Sequence, residues 1–188
     1  PVLLELMKVI RQTKESEIIN PLETYKTIGW IMQTLSDYPE ADYYLKRALK
    51  YCKPESVNYA AILDNYGINL YKTRRYQEAL KQFHKSGLIA LKINDSLRYA
   101  KTLGNKALVY EEQNKYAEAI QLLKEDIALS ERLKESKNKM FASIALARIY
   151  LKNNNLSDAQ AILTEAEKIA VSKSYFIVIK SDVRIDIP

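Results

Sequence analysis

The sequence predicts an all-α fold, an α-α superhelix in which antiparallel helix hairpins stack into a solenoid. Three observations carry that expectation. A small residue recurs as Ala41, Ala79, Ala119 and Ala159, at separations of 38, 40 and 40, and a second series, Gly29, Gly67, Ala107 and Ala147, keeps the same spacing. Around each pair the apolar residues follow a 3.6-residue period. The composition suits helices with short connections, with 4 glycines and 5 prolines in 188 residues and no persistent strand-like alternation before the C-terminus.

The unit is clearest between residues 103 and 127. Leu103, Ala107 and Tyr110 fall on one side of a first helix, and Tyr116, Ala119, Ile120, Leu123 and Ile127 on one side of a second, with a polar turn at Glu112 to Lys115 between them. Two antiparallel helices approach closely only where facing side chains are small, a role that falls to Ala107 and Ala119. One hairpin cannot bury its own apolar faces, so it must stack on neighbours. Bulky residues return in step with the small ones: Tyr38, Tyr76 and Tyr116 three positions before the second-helix alanine, with Leu156 in the fourth unit, and Leu45, Phe83, Leu123 and Leu163 four after it.

Taken in order, residues 1–20 hold a short amphipathic helix, VLLELMKVIR, which is either the second helix of a partial repeat or a cap. The first full repeat occupies 21–56. Asn20-Pro21 starts its first helix, because Asn is a good N-cap and Pro is tolerated in a first turn. Ser36 and Asp37 make the turn, Pro39 opens the second helix, and Lys53-Pro54-Glu55-Ser56 is the linker. The second repeat spans 57–95, the third 96–137 and the fourth 138–172, with inter-repeat loops at Asn94 to Ser96 and Lys134 to Asn138. The segment 173–188 has strand propensity at Phe176 to Ile179. Its position instead calls for a capping helix or the start of a fifth repeat, which would cover the apolar end of the fourth. A chain that begins at Pro1 and stops at Pro188 reads as a processed form or a fragment of something longer.

The pattern resembles the tetratricopeptide repeat (TPR) family. Residues 60 to 88 match its motif best, through Leu63, Tyr66-Gly67, Leu70-Tyr71, Tyr76, Ala79, Phe83 and Ser86. The resemblance covers about residues 22 to 171 in four units. These units exceed the usual length of about 34 residues, as in the longer-helix variety found in kinesin light chains and in the sensor and scaffold regions of bacterial signalling proteins. It implies a non-catalytic interaction domain that binds a peptide or partner domain in a concave groove lined by first helices, within a larger signalling or regulatory protein. The alternative is a structural module that self-associates through residues 2 to 11 or 174 to 186.

The groove positions that the resemblance implies include Asn65 and Asn105, in register in consecutive repeats, where the long-repeat relatives use a carboxamide to hold an extended peptide backbone. Lys72, Lys101, Tyr71, Leu108 and Arg148 fall on the same wall. So does Trp30, which either anchors a partner side chain or, the favoured expectation, packs under the N-terminal helix. Phe141, Ile144 and Leu151 make the fourth repeat's inner wall apolar, to be covered by residues 174 to 186.

Over the implied groove positions, Lys26, Lys72, Lys101, Arg148 and Lys152 stand against Glu23, Asp64, Glu111 and Glu112, so the groove is not a basic trough despite the chain's net charge of +6. Direct nucleic-acid binding, which rests on several phosphate contacts, is therefore not expected, and the same balance weakens a clamp for an acidic tail. No apolar run approaches the roughly 20 residues that span a bilayer, so no membrane insertion by this segment is expected. The single histidine, His84, has no metal-ligand partner at the right spacing and is expected on a helix surface; the single cysteine, Cys52, rules out an internal disulfide and is expected to be a partly buried apolar residue. No phosphate-binding glycine loop, nucleophile elbow or His-carboxylate set occurs, so neither catalysis nor a cofactor is expected. The compartment stays open between cytoplasm, slightly favoured, and periplasm.

Overall fold

A computed structural model describes residues 2–172, all of whose regular structure is helical. The helices are α1 (Val2–Gln12), α2 (Pro21–Thr34), α3 (Tyr38–Tyr51), α4 (Val57–Lys72), α5 (Tyr76–Lys92), α6 (Ser96–Glu112), α7 (Tyr116–Arg132), α8 (Ser136–Lys152) and α9 (Leu156–Ser172), with a short 3-10 turn at Glu15–Glu17. The capping helix expected over 173–188 lies outside the described residues. The chain divides into two compact units, Pro1–Ile89 and Ala90–Pro188.

Helix starts follow local chemistry. The side chains of Asn20, Asp37, Ser56 and Asp95 each accept a hydrogen bond from the backbone N–H three residues on, satisfying donors that the first turn of a helix leaves open. Pro21 and Pro39 sit in first turns, where their missing N–H costs nothing.

Helix ends share one device. Ser36, Arg74, Asn94, Asn114, Lys134 and Asn154 all take a left-handed conformation, with φ between 57° and 62°. In each case the next residue's N–H reaches back five positions, as from Asp37 to Met32 O at 2.9 Å and from Arg75 to Leu70 O at 2.8 Å. The left-handed residue itself bonds back three, as from Lys134 to Glu131 O at 3.0 Å. This is the Schellman closure, which satisfies the last carbonyls of a helix. The residue that completes it then stands as the N-cap of the next helix, so three residues connect one helix to the next. The loop expected at Lys134 to Asn138 is accordingly shorter than the sequence suggests. α8 begins at Ser136, and Asn138 lies inside it because its side chain is held by hydrogen bonds to α7.

In the first unit α2 packs on α3, α3 on α4, and α4 also reaches α2. The small-residue series marks the closest approaches. A Cβ built on Gly29 would lie 2.8 Å from Leu45 Cγ, and one on Gly67 would lie 2.5 Å from the Phe83 ring, so the bulky residue of the second helix sits over the glycine of the first. Polar groups tie neighbouring helices: buried Asn69 donates to Tyr38 O at 3.0 Å, buried Ser86 to Ala60 O at 2.9 Å, and half-buried Gln33 to Asn65 O at 2.8 Å.

In the second unit α6, α7, α8 and α9 pack in succession and α6 also meets α8. Ala107, Ala119, Leu123, Leu146, Ile149 and Ala159 form its main core, with Tyr110 and Tyr116 packed at the edge. All four second-helix alanines of the repeat, Ala41, Ala79, Ala119 and Ala159, are fully buried. Met140, Ile144, Ala166 and Ala170 form a second cluster between α8 and α9. Ile144 therefore belongs to the core and not to an inner wall; the small residues of α9 let its side chain sink between the two helices.

Candidate functional site

The first helices present the residues that could meet a partner. On α4, Asn65 is half-buried; its carbonyl is taken by Gln33 of α2, while its carboxamide makes no hydrogen bond among the described residues. On α6, Asn105 is likewise half-buried, and its carboxamide makes no hydrogen bond among the described residues either. A carboxamide offers two donors and an acceptor, so each unit presents one ready group of this kind. Lys72 is exposed at the end of α4, with its ammonium 5.8 Å from the centre of the Tyr71 ring, which in turn lies 6.1 Å from the ring of Tyr76. Lys101 is exposed and Leu108 half-buried on α6.

Trp30 departs from the favoured expectation. It is 57% exposed on α2 rather than packed under α1, because the core side of α2 is already filled by Tyr25, Ile28, Gly29 and Met32. A large exposed aromatic of this kind suits anchoring better than packing. Phe141 is also exposed, at 38%.

Arg148 is held from within its own unit. It donates to both oxygens of Glu111, at 2.9 and 2.8 Å, and Lys152 adds a third bond at 2.7 Å. Glu111 is 4% exposed. Burial pushes its carboxyl up, but the two cations beside it outweigh that and hold it below the usual range. Three of the charges counted on the implied groove are thus joined in one ion cluster.

Sequence reasoning missed two polar clusters. Asp126 of α7 is 2% exposed and accepts hydrogen bonds from Ser130 at 3.1 Å and Asn138 at 2.6 Å, with no ion pair among the described residues. Burial pushes its carboxyl up to about 7. Gly104 lies against it, since a Cβ there would stand 2.8 Å from Asp126 Oδ2; Gly104 therefore faces α7 and not a groove. Asn138 read as a loop residue, and only its spacing from Asp126 and Ser130 could have suggested otherwise. The second cluster surrounds Arg11 and Arg47 in the first unit. His84 is exposed, and Cys52 is buried with its sulfur 3.5 Å from Ser56 Oγ. Among the described residues no group of His, Cys, Asp and Glu could hold a metal ion, and no helix is long and apolar enough to cross a membrane.

Residues 58–132 match the family model described as tetratricopeptide repeat. That stretch is a tetratricopeptide-repeat region. A search of curated proteins finds no match. Among solved structures the chain resembles the apo form of RapI, with a TM-score of 0.80 and 23% identity over 92% of this chain and 66% of that one. It also resembles BtubC (BKLC) from P. vanneervenii, with a TM-score of 0.73 and 16% identity over 81% of this chain and 64% of that one. A third likeness is to the nearly identical TPR-like repeats of a putative kinesin light chain from Podosopora anserina, with a TM-score of 0.70 and 19% identity over 92% and 85%. The chain spans just under two thirds of the length of RapI and of BtubC. At these identities the likenesses establish the fold of the TPR hairpins alone.

Proposed function

We propose that this TPR chain is a non-catalytic protein-interaction module that holds an extended peptide or a partner's segment along its first helices. The observation that carries this is the pair of half-buried, unengaged carboxamides, Asn65 on α4 and Asn105 on α6. A carboxamide withdrawn from solvent normally finds partners within the protein, as Asn138 does with Asp126 and Ser130. Asn65 and Asn105 are left able to donate to and accept from a peptide backbone at once. In the first unit exposed Trp30 and Tyr71 would supply aromatic contacts and Lys72 would favour an acidic residue in the bound segment; in the second, Leu108 would supply an apolar contact and Lys101 the same preference for an acidic residue. Membership of a larger bacterial signalling or regulatory protein rests on the resemblance of the long repeats to such regions.

The test compares proteins retained from extracts of the cells that express the chain by the wild type and by an Asn65→Ala, Asn105→Ala form, identified by mass spectrometry. The expected result is a partner lost with the double variant while its melting temperature stays within a few degrees. A partner that binds both forms with equal affinity would overturn peptide holding by these residues.

A further inference from the structure

Asp126 lies where three helices of the second unit meet. It is carried by α7, Gly104 of α6 stands against its Oδ2, and Asn138 of α8 reaches its Oδ1. Its hydrogen bonds, from Ser130 at 3.1 Å and from Asn138 at 2.6 Å, both end on Oδ1. Asn138 also donates to Ser130 Oγ at 2.8 Å, so the three side chains close into one ring of bonds. Oδ2 accepts no hydrogen bond among the described residues and is set against α6 where a Cβ on Gly104 would come within 2.8 Å of it.

The charged groups of the surrounding helices are turned elsewhere. On α6, Arg98 pairs with Asp95, Lys101 is exposed and Lys106 is half-buried. On α7, Lys124 is exposed, and Glu125 accepts a hydrogen bond from the Tyr99 hydroxyl of α6 at 3.2 Å. On α8, Lys137 is exposed, and Lys139 pairs with Glu131 and Glu165. Burial therefore acts on Asp126 with only two neutral donors against it, which is why its carboxyl rises.

This arrangement suits the neutral acid. Protonated on Oδ2, the group needs no further donor. Ionised, it carries charge on both oxygens, and Oδ2 is then held away from water against the backbone of α6, a costly placement for a charge without a counter-ion. Hydrating that oxygen requires α6 to draw back from α7 at Gly104. Asn105 is the next residue and moves with it.

We propose that Asp126 is a proton-operated spacer beside the partner face of the second unit: neutral, it lets α6 sit on α7; ionised, it draws water in at Gly104 and displaces α6 together with the Asn105 carboxamide. Ser130 and Asn138 keep α7 and α8 joined in both states. A segment held by Asn105 is then gripped differently on the two sides of neutral pH. That consequence rests on the role proposed above for Asn105, whereas the displacement itself does not.

The test follows the whole chain by NMR between about pH 5 and pH 9, a range in which an ordinary aspartate stays ionised. The signals read are the Asp126 carboxyl carbon, the Asn105 carboxamide, and the NOE between Gly104 Hα and Asp126 Hβ. One midpoint shared by all three is expected, with the NOE weakening several-fold as pH rises. Asp126→Asn should leave the Asn105 signals flat, and His84→Gln, which removes the chain's single imidazole, should not alter their titration. Ser130→Ala takes a hydrogen bond from the carboxylate and should raise the midpoints of Asp126 and Asn105 together; it decides the matter if Asp126→Asn does not fold. An NOE that stays constant while Asp126 titrates, an Asn105 midpoint that does not follow Asp126 in Ser130→Ala, or no titration of Asp126 in this range would overturn the proposal. The readout needs no partner, so it stands or fails separately from the retention experiment.

Discussion

Gly67 and Phe83 meet at a distance that leaves no room for a methyl group, since a Cβ on Gly67 would lie 2.5, 2.7 and 2.9 Å from three ring carbons of Phe83. The ring is 1% exposed and cannot swing into solvent. Gly67→Ala should therefore destabilise the chain by about 1–3 kcal/mol through overpacking, even though alanine is the better helix former. Adding Phe83→Leu recreates the Ala107 and Leu123 combination of the third repeat and should restore part of the loss. Urea unfolding of both single variants and the double variant measures the coupling. Additive losses would mean that the two residues do not share this contact.

Asp126 makes the stability of the second unit depend on pH. Its carboxyl titrates near 7 in the folded chain because burial disfavours the charge, against about 3.9 when unfolded. The folded state then binds a proton that the unfolded state releases across this window. The resulting stabilisation is fully present below about pH 4 and is lost as pH rises through about 7. Asp126→Asn keeps an acceptor for Ser130 and Asn138 and has nothing to ionise. The variant should exceed the wild type at pH 8 by roughly 2–4 kcal/mol and match it near pH 4. Parallel melting curves at every pH would show that Asp126 does not titrate in this range.

The left-handed turn residues are open to improvement. Arg74 and Lys134 hold φ of 60° and 59° and are exposed, and a residue with a Cβ in that conformation costs about 1 kcal/mol or slightly more relative to glycine. Arg74→Gly and Lys134→Gly should each raise stability by about 0.5–1 kcal/mol, the gain being reduced by the greater freedom of glycine in the unfolded chain. Denaturant midpoints read the change, and Arg74→Val should move them the opposite way.

The hairpin architecture was legible because close helix approach admits only small residues, so packing wrote itself into the series from Gly29 to Ala147 and from Ala41 to Ala159. Asn65 and Asn105 were legible for the same reason, as register positions on first helices. The turns were less so: no glycine marks Ser36, Arg74 or Lys134, and the left-handed conformation there is imposed by the helices on either side. Asn138 misled because its poor helix propensity is overridden by bonds to Asp126. The exposure of Trp30 and the burial of Ile144 depend on which face neighbouring helices cover, and the 3.6-residue period leaves that choice open. The cluster at Arg11 and Arg47 joins residues about thirty positions apart, Arg11 to Glu40 and Glu15 to Arg47, and no local spacing announces such a meeting.

The three-residue connections have a consequence for how this chain tolerates changes in length. Each is closed by a residue that both completes one helix and caps the next, so no slack remains to absorb an insertion. One added residue would have to enter a helix, where it turns everything beyond it by about 100° and swings the buried alanine of that helix out of register. Among the described residues, added length fits the longer connections, between α1 and α2 and at the Cys52 to Ser56 linker, or comes a whole hairpin at a time.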